Sequence, residues 1–180
     1  ILRMILVVLG ILMIPFIASF LTDEMQWSVS DFIFMGVLLL AAGTIYEIGV
    51  KVSSSTPARI GFGVAVFTGF VLIWMNLAVG IIGSEDNPAN VLFAAVIAVA
   101  FFGAIIAKFE APGMAKALTV TAVAQFLVPI IAIVMFRPDF SPGVAKVFVL
   151  NLFFVGLWLT SATFFRKAAE LGPPSAPGRA

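Results

Sequence analysis

Few residues in this chain could do chemistry, and they gather at four places. Glu47 is an acid set within an apolar stretch, with Lys51 one helical turn later in the favourable Glu-to-Lys order. Gly36, Leu40 and Gly43 share its helical face, being three or four residues apart. The simpler reading of Glu47 is a snorkelling pair beside a close-packed glycine face. The sharper one is a proton or cation relay, since an ionisable group within lipid costs about 2.5–3.5 kcal/mol on insertion scales and wants a reason.

Thr121, Gln125 and Pro129 form the second place, at i, i+4 and i+8 on one helical face. Pro129 has no N–H to give the carbonyl of Gln125, so a freed backbone oxygen is expected beside the Gln125 amide. Pro15 should free the carbonyl of Ile11 in the same way. Interhelical hydrogen bonding could absorb these groups, and the alternative is a substrate or ion site at broken helices. Asn76 and Asn151 are the third place, two amides within apolar runs. The fourth is the polar segment Ser84-Glu85-Asp86-Asn87-Pro88-Ala89-Asn90. Its Glu85, Asp86, Asn87 and Asn90 offer the oxygens that hard cations take, but without the spacing of an EF-hand, so a capped turn between two helices is the simpler reading.

What is missing narrows the chemistry further. The chain has no Cys and no His, which removes disulfides, thiol nucleophiles, imidazole bases and the commonest haem and zinc ligands. No catalytic residue, metal site or cofactor is therefore assigned. A net charge of +1 offers no clustered basic face for nucleic acid.

The elements that must position these residues follow from composition. Of 180 residues 62% are hydrophobic and 11% charged, with a mean hydropathy of +1.19, too little polarity to cover a water-soluble globule. At about 20 apolar residues per span, the length allows six or seven membrane helices. Apolar runs lie at about 4–21, 32–52, 60–82, 88–107, 114–136 and 144–165. The first is read as a membrane helix and not a signal peptide, because Ala18-Ser19-Phe20 is not a small-x-small cleavage site. Ser30 or Asp31 suits the cap of the second run. Thr56-Pro57, Asn87-Pro88 and Ser141-Pro142 each place a capping residue before proline at a helix start. The fifth run follows the break Ala111-Pro112-Gly113. No alternating pattern suggests a barrel. The expected fold is all-α, a polytopic six-transmembrane-helix bundle in a single membrane domain 1–170, with a disordered tail at 171–180.

Basic residues set the expected orientation. With the N-terminus cytoplasmic, Arg3, Lys51, Arg59, Lys108, Lys116, Arg166, Lys167 and Arg179 fall inside, eight of the ten, against Arg137 and Lys146 outside. Both termini are then cytoplasmic. Asn76-Leu77-Ala78-Val79-Gly80 resembles Asn151 to Gly156, but both asparagines lie in the outer part of their helices, whereas an inverted repeat would put them at opposite depths. No repeat is credited.

The fourth run carries Ala94, Ala95, Ala98, Gly103, Ala104 and Ala107, with small-xxx-small pairs that suit tight packing within the chain or against another protein. Aromatics are mainly phenylalanine, 19 against one tyrosine and three tryptophans, and suit lipid contact or packing. The segment from Trp74 through Gly80, Gly83 and Asn87-Pro88 to Asn90 resembles a widespread, uncharacterised family of small bacterial inner-membrane proteins. Thr22-Asp23-Glu24 and Ser30-Asp31-Phe32-Ile33-Phe34 add to the likeness. The resemblance implies a multi-pass protein of the bacterial inner membrane and brings no activity or functional residue with it.

The expectation for function is a non-enzymatic accessory or scaffold subunit of a larger membrane complex, with the bilayer and protein partners on its small-residue faces. A small transporter or channel for an ion or solute, using Gln125, Glu47 and the Asn76/Asn151 pair, is the alternative. An intramembrane enzyme using the outer acids ranks last, for want of a nucleophile or metal partner.

Overall fold

The computed structural model describes residues 2–22, 27–53, 55–84, 86–136 and 142–172. Its helices are α1 (Leu2–Leu21), α2 (Val29–Val52), α3 (Thr56–Ala78), α4 (Leu92–Ile106), α5 (Ala111–Phe136) and α6 (Pro142–Glu170), with a 3-10 turn at Pro88–Val91 leading into α4. Among the described residues there is no strand. Taking the 3-10 turn with α4, the six helices are long and apolar enough to cross a membrane. The expected all-helical, six-span architecture is thus present at the level of length and composition.

Several boundaries differ from the apolar runs, each for a local reason. α2 begins earlier than expected because Ser28, not Ser30 or Asp31, is its cap. The Ser28 amide donates to Asp31 Oδ2 at 2.7 Å while the Asp31 amide donates back to Ser28 Oγ at 3.4 Å, a reciprocal capping box in which Asp31 stands inside the first turn. α3 is capped by Ser55, whose hydroxyl accepts from the Ala58 amide, so Thr56 and Pro57 lie inside the helix. Its other end is Ala78, short of the expected Ile82. Gly80 has a φ of +68°, and Ile81 is buried in the core although it is no longer helical, so hydropathy continues where the helix stops. Asn76 and Gly80, four residues apart, would share a face of a continued helix, but α3 ends between them. α5 includes Ala111-Pro112-Gly113 as its first turn, where a proline costs no hydrogen bond. α6 runs beyond Phe165 to Glu170. Of the expected tail, residues 173–180 lie outside those described.

The chain divides into two compact units, Ile1–Ile48 and Gly49–Ala180. In the first, α1 and α2 pack antiparallel through glycines. A Cβ on Gly43 would lie 2.8 Å from Met4 Sδ, and one on Gly36 would lie 3.5 Å from Leu12 Cδ1. Phe32 continues the seam with edge-on contacts to Phe16 and Trp27, at centroid distances of 6.2 and 5.2 Å. The expected glycine face is thus occupied by the large side chains of α1.

The second unit is a four-helix bundle in which α6 packs between α3 and α5, and α4 closes the ring against α5 and, less extensively, α3. Neighbours run antiparallel. Gly61 meets Phe165 while Gly69 meets Trp158, and Gly103 meets Ala117 while Ala107 meets Gly113. The α4–α5 corner is tight, with Lys108 and Phe109 both left-handed at φ of 50° and 60°. Left-handed backbone costs roughly 1–2 kcal/mol per non-glycine residue, and what it gains here is placement. Phe109 packs on the core, with its ring 6.2 Å from that of Phe62. Phe62 in turn meets Phe165 edge-on at 4.8 Å.

Candidate functional site

The most concentrated polarity in the second unit is buried at mid-helix, between α5 and α6. Gln125, Asn151 and Trp158 are 0%, 1% and 2% exposed. Gln125 Nε2 donates to Asn151 Oδ1 at 2.8 Å, and Trp158 Nε1 donates to Gln125 Oε1 at 3.3 Å. Asn151 Nδ2 donates to the main-chain carbonyl of Gln125 at 3.0 Å. That carbonyl is the one Pro129 leaves without a helical donor, so the oxygen expected from the sequence is present and taken. The three side chains form a connected set: each amide oxygen has a donor, one N–H of each amide nitrogen has an acceptor, and the indole N–H is bonded.

Thr121 lies on the same buried face as Gln125 and Pro129, as the spacing predicts, but it does not join the set. Its hydroxyl donates to Ala117 O of its own helix at 2.9 Å. Ser161 ties the other side of α6, donating to Gly61 O at 2.7 Å across to α3. Trp158 and Ser161 are buried, hydrogen-bonded positions that the sequence reading did not single out. Trp158 stands seven residues after Asn151, two turns along the same face of α6, and that spacing was the available signal.

Asn76 and Asn151 have different hydrogen-bond partners. Asn76 Nδ2 turns back to Leu72 O at 2.9 Å, and Asn76 Oδ1 is the buried side-chain atom left without a partner among the described residues. Glu47 and Lys51 stand in the last two turns of α2 with both side chains exposed.

The segment after α3 is closed by one side chain. Asn90 Oδ1 accepts from the amides of Ile81 and Ile82 at 3.1 and 2.8 Å, and Asn90 Nδ2 donates to the carbonyls of Ile82 and Ser84 at 3.3 and 2.7 Å. These bonds use the full capacity of a primary amide. Asn87 Oδ1 accepts from the Ala89 amide at 2.9 Å, capping the 3-10 turn. Gly83, with a φ of +73°, lies under the Asn87 amide, where a Cβ would come within 2.9 Å of Nδ2. Two of the candidate oxygen donors are therefore committed to the loop itself. Asp86 is exposed, and Glu85 lies outside the described residues. Among the described residues no three acidic side chains come together to hold a metal ion. A cleft of about 80 Å³ beneath the loop is walled by Asn87, Ala89, Pro129, Ile133 and Phe148. It is smaller than the roughly 300–1,000 Å³ usual for ligand pockets.

Comparison with protein-family models, curated proteins and solved structures returned no match for this chain. The functional reading rests on its own geometry.

Proposed function

We propose that the chain is a non-enzymatic, multi-pass protein of the bacterial inner membrane, with both termini cytoplasmic, acting as an accessory or scaffold subunit of a larger assembly. The observation that carries this reading is the buried, mutually hydrogen-bonded set of Gln125, Asn151 and Trp158. A transport pathway needs polar groups turned toward a passage, whereas these turn toward one another in a buried seam. The loop amides of Asn87 and Asn90 are likewise spent on holding backbone. Meanwhile Phe101, Phe102, Ile105 and Ile106 on α4 present a large apolar surface suited to lipid or a partner helix. The distribution of basic residues supports the orientation.

Native purification in a mild detergent followed by mass spectrometry tests the proposal. A stoichiometric partner protein is expected to copurify. A lone chain that moves an ion or solute across liposomes, with flux lost in Gln125→Leu, overturns it.

A further inference from the structure

At the end of the second unit where α5 begins and α6 ends, an open groove of about 540 Å³ runs between the two helices. Its lining combines an apolar floor from Pro112, Ala115, Val120 and Ala169 with the charged side chains of Lys116, Arg166 and Glu170. The volume falls within the range of built ligand sites, unlike the cleft beneath the α3–α4 loop. Arg166 is exposed and tethered by one hydrogen bond. Its Nη2 donates to Thr119 Oγ1 at 3.1 Å, and the Thr119 hydroxyl donates to Ala115 O at 2.8 Å. The hydroxyl thus accepts from the guanidinium and draws it toward the groove wall while contributing no negative charge. A guanidinium has five N–H donors, and a neutral hydroxyl occupies one of them.

We infer that this groove binds the headgroup of an anionic phospholipid, with the phosphate held between Lys116 and Arg166 and an acyl chain along the Val120 flank. The reading rests on the chain lying in a membrane and is independent of the subunit proposal. Charge and position both favour a lipid over a soluble ligand. Two cations face one carboxylate, the groove lies at the ends of two spanning helices where headgroups lie, and Val120 beside it is exposed on the surface lipid would cover. Basic pockets between membrane helices recognise anionic headgroups by this combination of charge and depth. Arg166 supplies planar two-point contact to phosphate oxygens, and Lys116 a mobile point charge. Glu170, the last residue of α6, opposes the phosphate and tunes affinity downward.

The test uses the full chain, purified, delipidated and offered phosphatidylglycerol or phosphatidylcholine of matched acyl chains in mixed micelles, with retained lipid read by native mass spectrometry. Phosphatidylglycerol is expected to be retained over phosphatidylcholine, and Lys116→Gln and Arg166→Gln each to lower its retention about fivefold. Lys116 is exposed and forms none of the hydrogen bonds above, so K116Q keeps the fold and reports charge alone. Glu170→Gln is expected to raise retention, whereas recognition of a headgroup ammonium by Glu170 would make it fall and overturn the assignment. Lys146→Gln, near the opposite end of α6, should leave retention unchanged. Equal retention of the two lipids, indifference to K116Q and R166Q, or displacement of the lipid by millimolar inorganic phosphate would each overturn the proposal.

Discussion

Asn151 on α6 donates to the main-chain oxygen of Gln125 on α5, the carbonyl that Pro129 deprives of its own helical partner. One side chain thereby mends a break in a neighbouring helix while its Oδ1 receives the Gln125 amide. The relationship makes the proline and the asparagine interdependent.

Asn151→Leu should destabilise the second unit by about 1–3 kcal/mol, since it strands a buried carbonyl and a buried amide N–H. Pro129→Ala in that background restores a backbone donor to residue 125 and should recover part of the loss. Unfolding in detergent of the two single variants and the double measures the coupling, and strictly additive effects would sink the account.

Trp158→Phe keeps most of the packing volume but removes the donor to Gln125 Oε1, so a loss of about 1 kcal/mol is expected. Gln125→Leu should lower the midpoint of unfolding without abolishing association with a partner protein. Complete loss of association with an unchanged midpoint would point to a binding role for the amide.

Asn90→Ala removes all four bonds that close the loop after α3. Hydrogen exchange should accelerate at the Ile81 and Ile82 amides and stay unchanged in the middle of α5. Asn90→Asp keeps the acceptor side and should fall between the two. Protection at Ile81 and Ile82 that survives Asn90→Ala would refute the staple.

Glycine positions separate by what a methyl would strike. A Cβ at Gly49 would lie 2.5 Å from the Phe62 ring, and one at Gly61 would lie 2.9 Å from the Phe165 ring, whereas Gly156 has nothing within 4 Å. Gly49→Ala and Gly61→Ala should each cost about 1–3 kcal/mol through overpacking. Gly156→Ala should be neutral or stabilising by up to about 1 kcal/mol. Unfolding midpoints rank the three, and equal midpoints would contradict the packing described.

Much of this arrangement was legible in the sequence, and the gaps have physical causes. Helix number and approximate limits follow from apolar run length, and the residue-before-proline starts hold at Asn87-Pro88 and, one position displaced, at Ser55 to Pro57. The end of α3 was not legible because Val79 to Ile82 remain apolar for a different reason, the burial of Ile81 beneath the loop. Hydropathy reports burial and cannot say whether the buried residue is helical. The freed carbonyl at Gln125 could be read from Pro129 alone, since the missing N–H is covalent fact. Its partner could not, because bringing Asn151 to it depends on how α6 is rotated against α5. Asn90 was singled out for its oxygens, yet only three-dimensional closure reveals that its own loop consumes them.

The mended carbonyl also bears on biogenesis. If the chain spans the membrane as proposed, α5 would enter the bilayer before α6 with a main-chain oxygen and a carboxamide in hydrocarbon whose eventual donors are still to come, at several kcal/mol for each unsatisfied group. Lateral association of α5 with α6 removes that penalty in a single docking event. The insertion machinery should therefore hold or shield α5 until α6 is made, and the two spans should leave it as a hairpin.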